Sequence, residues 1–252
     1  MGQPKIFSLI DKAIFDYNML DSKLEDGARI LLGASGGKDS TLLAEYFGNR
    51  LKRLNSKHKN QHKSFEKKFS VRALYIQTDF ANPFNPELKK KFDEWQIPLE
   101  TLQVNTLARL HDGHKMSCYW CSNQRRKELL NYAIKNGFDT VVLGHHIDDV
   151  LETLLMNMTA KGKLEAMPAV LKYQKYPVKL ARPLYYVPVD EIIKHSVESG
   201  WNSQTCTCAY QDNSGRKNAR RKLFDLTGGN YSEKIHILNS LKKENIDFDY
   251  LP

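Results

Sequence analysis

Long apolar runs are missing from this chain: nowhere do eighteen apolar residues follow one another, so no stretch has the length that a membrane-spanning helix needs. Cysteine is scarce as well. Four thiols in 252 residues, unevenly spaced, are too few for the disulfide scaffold of a small secreted protein. Residues 1–20 scatter Lys5, Asp11, Lys12 and Asp16 among their apolar residues, a pattern that excludes a secretion signal there. Together these absences imply a cytoplasmic protein with reduced thiols and no membrane association. Negative charge is in deficit, with 29 acidic against 38 basic residues, a formal net charge of +9 and a pI near 9.2. Such an excess suits a polyanionic partner, because each phosphate neutralised releases condensed counterions; a generally basic, soluble surface gives the same balance. Part of the excess sits in residues 50–68, where Lys52, Arg53, Lys57, Lys59, Lys63, Lys67 and Lys68 keep company with few apolar residues and no period. This stretch is expected to form a mobile basic insertion.

What is present is an alternation of strand and helix patterns. Residues 6–20 carry Ile6, Leu9, Ile10, Ala13, Ile14 and Tyr17 at helical spacing, predicting an amino-terminal helix over about 5–20. Apolar runs at 28–34, 71–77, 99–104 and 140–143 predict buried strands, with helices over 41–47, 86–95 and 123–136, the last ended by Gly137. Beyond Met167 the prolines Pro168, Pro177, Pro183 and Pro188 break the chain into short pieces, followed by a helix over 190–198. The expected architecture is α/β: a Rossmann-like parallel sheet with helices on both faces and a ligand crevice at the carboxyl ends of the strands. One domain is expected over 1–252, with a small helical and irregular segment over about 190–252.

The motifs fall at those strand ends. Ser35-Gly36-Gly37-Lys38-Asp39-Ser40 opens directly from the first strand. Two glycines let the backbone turn tightly and aim its N–H groups at phosphate oxygens, and the next residues occupy the positive end of a helix. The G-x-x-x-x-G-K-[ST] loop is the obvious competitor, yet Asp39 stands where Ser or Thr is required and Leu32 where the first Gly should be. Cys118-Tyr119-Trp120-Cys121 precedes a basic stretch with Arg125, Arg126 and Lys127, and Cys206-Thr207-Cys208 lies far downstream in a polar segment. Thiols at C-x-x-C spacing bind a metal, form a disulfide or simply pack; a structural zinc site on all four cysteines and an iron–sulfur cluster on three are both open. Gly144-His145-His146-Ile147-Asp148-Asp149 follows the fourth strand, where the two acids cap a helix or, with the imidazoles, hold Mg²⁺ and relay protons.

The S-G-G-x-D-S loop resembles that of the PP-loop ATP-pyrophosphatases, which bind the pyrophosphate of ATP and release AMP and pyrophosphate. Adding C-x-x-C, G-H-H-x-D-D-x-x-E-T and a late cysteine near an Arg-rich segment, the chain resembles the tRNA 2-thiocytidine synthetase family within that superfamily, over residues 28–221. The resemblance implies an adenine nucleotide alpha hydrolase-like fold, with ATP at Ser35, Gly36, Gly37, Lys38, Asp39, Ser40, Gly144 and His145. It implies catalytic roles for Lys38, Asp39 and Asp148, Mg²⁺ as the ion, and a [4Fe–4S] cluster on Cys118, Cys121 and Cys206. The chain has C-x-C where that family has a late C-x-x-C, so Cys208 is the alternative third ligand; one residue apart on an extended segment, the two point to the same side and geometry does not choose. tRNA is the implied partner, with Arg125, Arg126, Arg216, Arg220 and Arg221 as phosphate contacts, together with a sulfur donor (a cysteine desulfurase system or sulfide) and room for a homodimer. Rival readings are a lysidine synthetase-like or 2-thiouridine synthetase-like enzyme of the same superfamily, and a zinc-stapled RNA-binding protein without catalysis.

Overall fold

The computed structural model describes residues 5–58, 69–110, 116–174, 176–201 and 214–243. Four apolar runs become four strands of a six-stranded sheet: β1 (Ala28–Ala34), β2 (Phe69–Thr78), β3 (Leu99–Val104) and β4 (Thr140–Val142). They pair in parallel in the order β3-β2-β1-β4. β1 and β4 sit in the middle and are covered on both faces, which is why they read as nearly continuous apolar runs. Alternation along β1 divides the core: Ile30 and Leu32 pack on one side of the sheet and Leu31 on the other.

The first face carries α1 (Lys5–Asp16), α2 (Lys38–His58), α3 (Pro86–Glu94), α5 (Ile147–Lys161) and α6 (Val189–Glu198), all of which contribute to the larger core. α4 (Cys118–Lys135) covers the second face with Leu129, Leu130 and Ala133 against Leu31, Leu74 and Val141. Two short strands extend the sheet. β6 (Lys179–Ala181) pairs in parallel with β4, and β5 (Val170–Lys172) pairs antiparallel with β6 at the edge. The sheet is therefore mostly parallel, with one antiparallel edge pair. α7 (Ser214–Thr227) and α8 (Tyr231–Lys243) pack against α5.

The amino-terminal helix stops at Asp16, because Asn18 adopts a positive φ of 49° and turns Met19 and Leu20 into the core. α2 runs on to His58, so the first part of the basic stretch is helical. Phe47, Leu51 and Leu54, spaced by four and three residues, continue its apolar face into the core. Arg50 and Lys52 are tied down there, Arg50 to Asp11 at 2.9 Å and Lys52 to the Glu94 carbonyl at 2.9 Å. Residues 59–68 lie outside the described residues.

The chain winds outward from β1 through β2 to β3, then returns to place β4 on the other side of β1. The crevice between the carboxyl ends of β1 and β4 is thus the topological switch point, where open α/β sheets bind their ligands.

Candidate active site

The loop after β1 builds itself from its own serines. The Ser35 amide donates to Ser40 Oγ at 3.1 Å, the two hydroxyl oxygens are 3.1 Å apart, and the Gly37 amide donates to Ser35 Oγ at 3.2 Å. Gly36 takes a φ of 76°, a left-handed conformation that costs little only without a side chain. Across the crevice, Gly144 leaves β4 so close to the loop that an added Cβ would meet the Asp39 carbonyl carbon at 2.9 Å and the Ser40 nitrogen at 3.0 Å. Only glycine lets the two segments touch. The Lys38 ammonium lies on the Asp39 carboxylate at 2.8 and 3.1 Å.

A cavity of about 300 Å³ opens above this junction, lined by Ser35, Asp39 and Ser40 from the loop, Gly144, His145 and Asp149 from the β4 exit, and Ser122, Arg125, Arg126 and Leu129 from α4. His145 accepts from Arg182 Nε at its Nδ1, 3.3 Å away. A guanidinium only donates, so the ring proton sits on Nε2 and the imidazole offers a fixed N–H donor. Burial, with the Arg182 charge beside it, pushes His145 down to about 3, which keeps it neutral. Arg182, 5% exposed, is anchored in turn by the Pro168 carbonyl.

His146 and Asp149 close a reciprocal capping box at the start of α5. His146 Nε2 stands 3.4 Å from Asp149 Oδ2 and 4.0 Å from Asp39 Oδ1, and its Nδ1 3.7 Å from Asp148 Oδ2, so the imidazole sits among three carboxylates. Burial on its own would raise Asp149, but His146, His145 and Arg216 together hold it below the usual carboxylate range. Arg216 Nη1 reaches its other oxygen at 2.9 Å.

Adjacent acids on a helix point about 100° apart, and the pair separates accordingly. Asp149 faces the cavity. Asp148, expected to be catalytic, is buried on the far side of α5, where one oxygen accepts from Lys234 Nζ at 2.7 Å and the other from the Val189 amide at 2.9 Å. There it docks α8 and the start of α6, and it lines a second cavity of about 190 Å³ with Glu152, Arg220 and Lys234. Arg220, expected to contact RNA, is paired with the wholly buried Glu152 at 2.7 Å. Arg216 and Arg220 thus staple α7 to α5. Arg221 is exposed and bonded to Asn218, and Arg125 and Arg126 are exposed at the cavity wall.

Ser117 caps α4 through the Trp120 amide at 3.2 Å, and the C-x-x-C pair lies within its first turn rather than ahead of the helix. Cys118 and Cys121, both half-buried, share that turn. Two thiols three residues apart on a helix are a soft donor pair suited to iron–sulfur or zinc, so the described residues fit two ligands of such a group. Cys206 and Cys208 lie outside the described residues. No group of three or more His, Cys, Asp and Glu among the described residues is arranged to hold a metal ion.

A Ser-Gly-Gly loop against a helix start, at the switch point of a parallel sheet, defines a nucleotide-binding α/β protein of the PP-loop class, and the PP-loop domain model matches residues 12–226. The chain belongs to the family of the tRNA-cytidine(32) 2-sulfurtransferases. One such protein, from Coxiella burnetii (strain Dugway 5J108-111), is 30% identical over 243 residues, covering 95% of this chain and 89% of its own. Another, tRNA-cytidine(32) 2-sulfurtransferase 2 of Francisella tularensis subsp. tularensis (strain WY96-3418), is 31% identical over 245 residues, covering 95% and 91%. Among solved structures, the U34-tRNA thiolase NcsA of Methanococcus maripaludis, described with its [4Fe–4S] cluster, shares the fold at a TM-score of 0.70 and 22% identity, over 96% of this chain and 80% of that one. An NH3-dependent NAD synthetase from Campylobacter jejuni shares it at 0.51 and 15%, over 100% and 98%.

Proposed function

We propose that this chain is an ATP-dependent tRNA sulfurtransferase, which adenylates the C2 oxygen of a cytidine in the anticodon loop and then exchanges that oxygen for sulfur. The observation that carries the reading is the single cavity joining the Ser35–Ser40 loop to the helix that bears Cys118 and Cys121. Activation and sulfur delivery need one shared space.

Ser35, Gly36, Gly37 and Ser40 receive the phosphates of ATP, and the Lys38 ammonium leaves Asp39 to balance their charge. Asp39 and Asp149, the carboxylates that line the cavity, are the residues that would hold Mg²⁺; Asp149 thereby takes the role expected of Asp148. His145 offers its Nε2 proton to an oxygen in the cavity. The base oxygen attacks the α-phosphate and pyrophosphate leaves; sulfide from the donor then bonds to C2 as the C2–O bond breaks, and the oxygen departs with AMP. Arg125 and Arg126 receive RNA phosphates at the cavity wall. An iron–sulfur cluster held by Cys118, Cys121 and Cys206, or Cys208, would supply sulfur from an open iron. The loop, the cysteine pair and the carboxyl-terminal helices act as one domain in the cytoplasm, with a cysteine desulfurase system or sulfide as donor.

Nucleotide products test the activation step. Anaerobically prepared protein with ATP, Mg²⁺ and tRNA should yield AMP and pyrophosphate in equal amounts, whereas release of ADP and phosphate would contradict it.

A further inference from the structure

Four residues of α4 that line the cavity, Ser122, Arg125, Arg126 and Leu129, form one stripe at intervals of three and four. The stripe does not end at the cavity. Continued one turn toward the helix start, it meets Cys118, in line with Ser122, and Tyr119, which on an ideal helix projects within about 20° of Arg126 and ~10 Å beyond it along the axis. Tyr119 is 79% exposed. A large ring is thereby held in water at the rim of the site, on a first turn fixed by the Ser117 cap and above two exposed guanidinium groups. Ring and guanidinium side by side are the means by which proteins grip unpaired bases and the phosphates between them.

The geometry points to Tyr119 as a stacking platform for an unpaired base of the RNA, a neighbour of the base that enters the cavity, with Arg126 on the intervening backbone. The inference rests on the thiolase reading and deepens it, because it says how the loop is opened. The charge of the stripe selects a polyanion as the occupant, and the exposed ring selects a single strand over a duplex, whose bases are already stacked. Tyr119 touches no reacting atom; it positions the RNA.

A double-mutant cycle separates stacking from a structural role. Binding of an intact anticodon stem-loop is compared with that of stem-loops carrying an abasic site at each loop position in turn, using wild-type protein, Tyr119→Phe and Tyr119→Leu. Wild type and Tyr119→Phe should lose on the order of tenfold in affinity at one position, and Tyr119→Leu should lose little there because the contact is already gone. A change in fold or cluster content weakens both RNAs on the same protein and cancels in the cycle. If the two losses are fully additive at every loop position, the ring meets no base and the inference is overturned. Thiolated nucleoside is assayed on intact tRNA in parallel: its presence without coupling overturns the role of Tyr119 alone, and its absence with wild-type protein overturns the functional reading as well.

Discussion

Two adjacent acids have different surroundings: Asp149 lines the cavity and Asp148 is buried against Lys234. Asp148 is 6% exposed and held by Lys234, which is 4% exposed; breaking such a pair from one side leaves a buried charge and costs about 3–5 kcal/mol. Asp148→Ala should therefore lower the denaturant midpoint strongly, while Asp149→Asn, which gives up its charge beside His146 and Arg216, should lower it less yet lose AMP formation by on the order of a hundredfold or more. Equal loss of activity at equal stability in the two variants would contradict the division. His145 provides a pH signature. Its folded value is depressed to about 3, whereas in the unfolded chain it titrates near ~6.5, so between those values the unfolded state binds a proton that the folded state refuses. Its contribution to stability is complete above about 6.5 and is lost as pH falls toward 3. His145→Gln should flatten stability in that window. Asp149, also depressed, acts lower, where its stabilisation disappears as pH falls below the ordinary carboxylate range.

Elements are where sequence reasoning succeeds and fails for identifiable reasons. β1 and β4 are legible because strands buried on both faces must be apolar throughout, whereas the edge strand β3 is apolar only at Leu99, Leu102 and Val104, among exposed polar residues. β5 and β6 have three residues each, flanked by Pro168, Pro177 and Pro183, too short for any period to show. The basic residues of 50–58 hid two core leucines, Leu51 and Leu54, spaced three apart. In the site, the phosphate loop is legible because glycine and serine spacing is itself the structure. That Asp149 and not Asp148 lines the cavity is not, since that depends on which side of α5 meets Lys234, 86 residues on. Arg182, the tautomer-setting partner of His145, is not legible for the same reason, because the two are 37 residues apart. The junction of loop and β4 exit is a close approach of backbone to backbone. Gly144→Ala puts a Cβ 2.9 Å from the Asp39 carbonyl carbon, displacing the loop, and should reduce kcat/KM for ATP by on the order of a hundredfold with thiol and iron content unchanged. An unaltered kcat/KM would mean that the contact is not rigid.

Across the whole molecule, two parts that arise from different strands, a loop after β1 and a thiol-bearing helix after β3, meet over one cavity because the sheet order places β4 beside β1. No helix among the described residues is long and apolar enough to cross a membrane, and exposed basic residues on α4 and α7 leave surface for a polyanion. The central claim is that this cavity transfers sulfur to RNA at the expense of ATP. Its most direct measurement is mass spectrometry of nucleosides from tRNA incubated with anaerobically reconstituted protein, ATP, Mg²⁺ and sulfide. Wild type should yield 2-thiocytidine, Lys38→Ala none at unchanged iron content, and Cys118→Ala none. Wild-type protein with a full iron complement that consumes ATP and leaves every nucleoside unthiolated would contradict it.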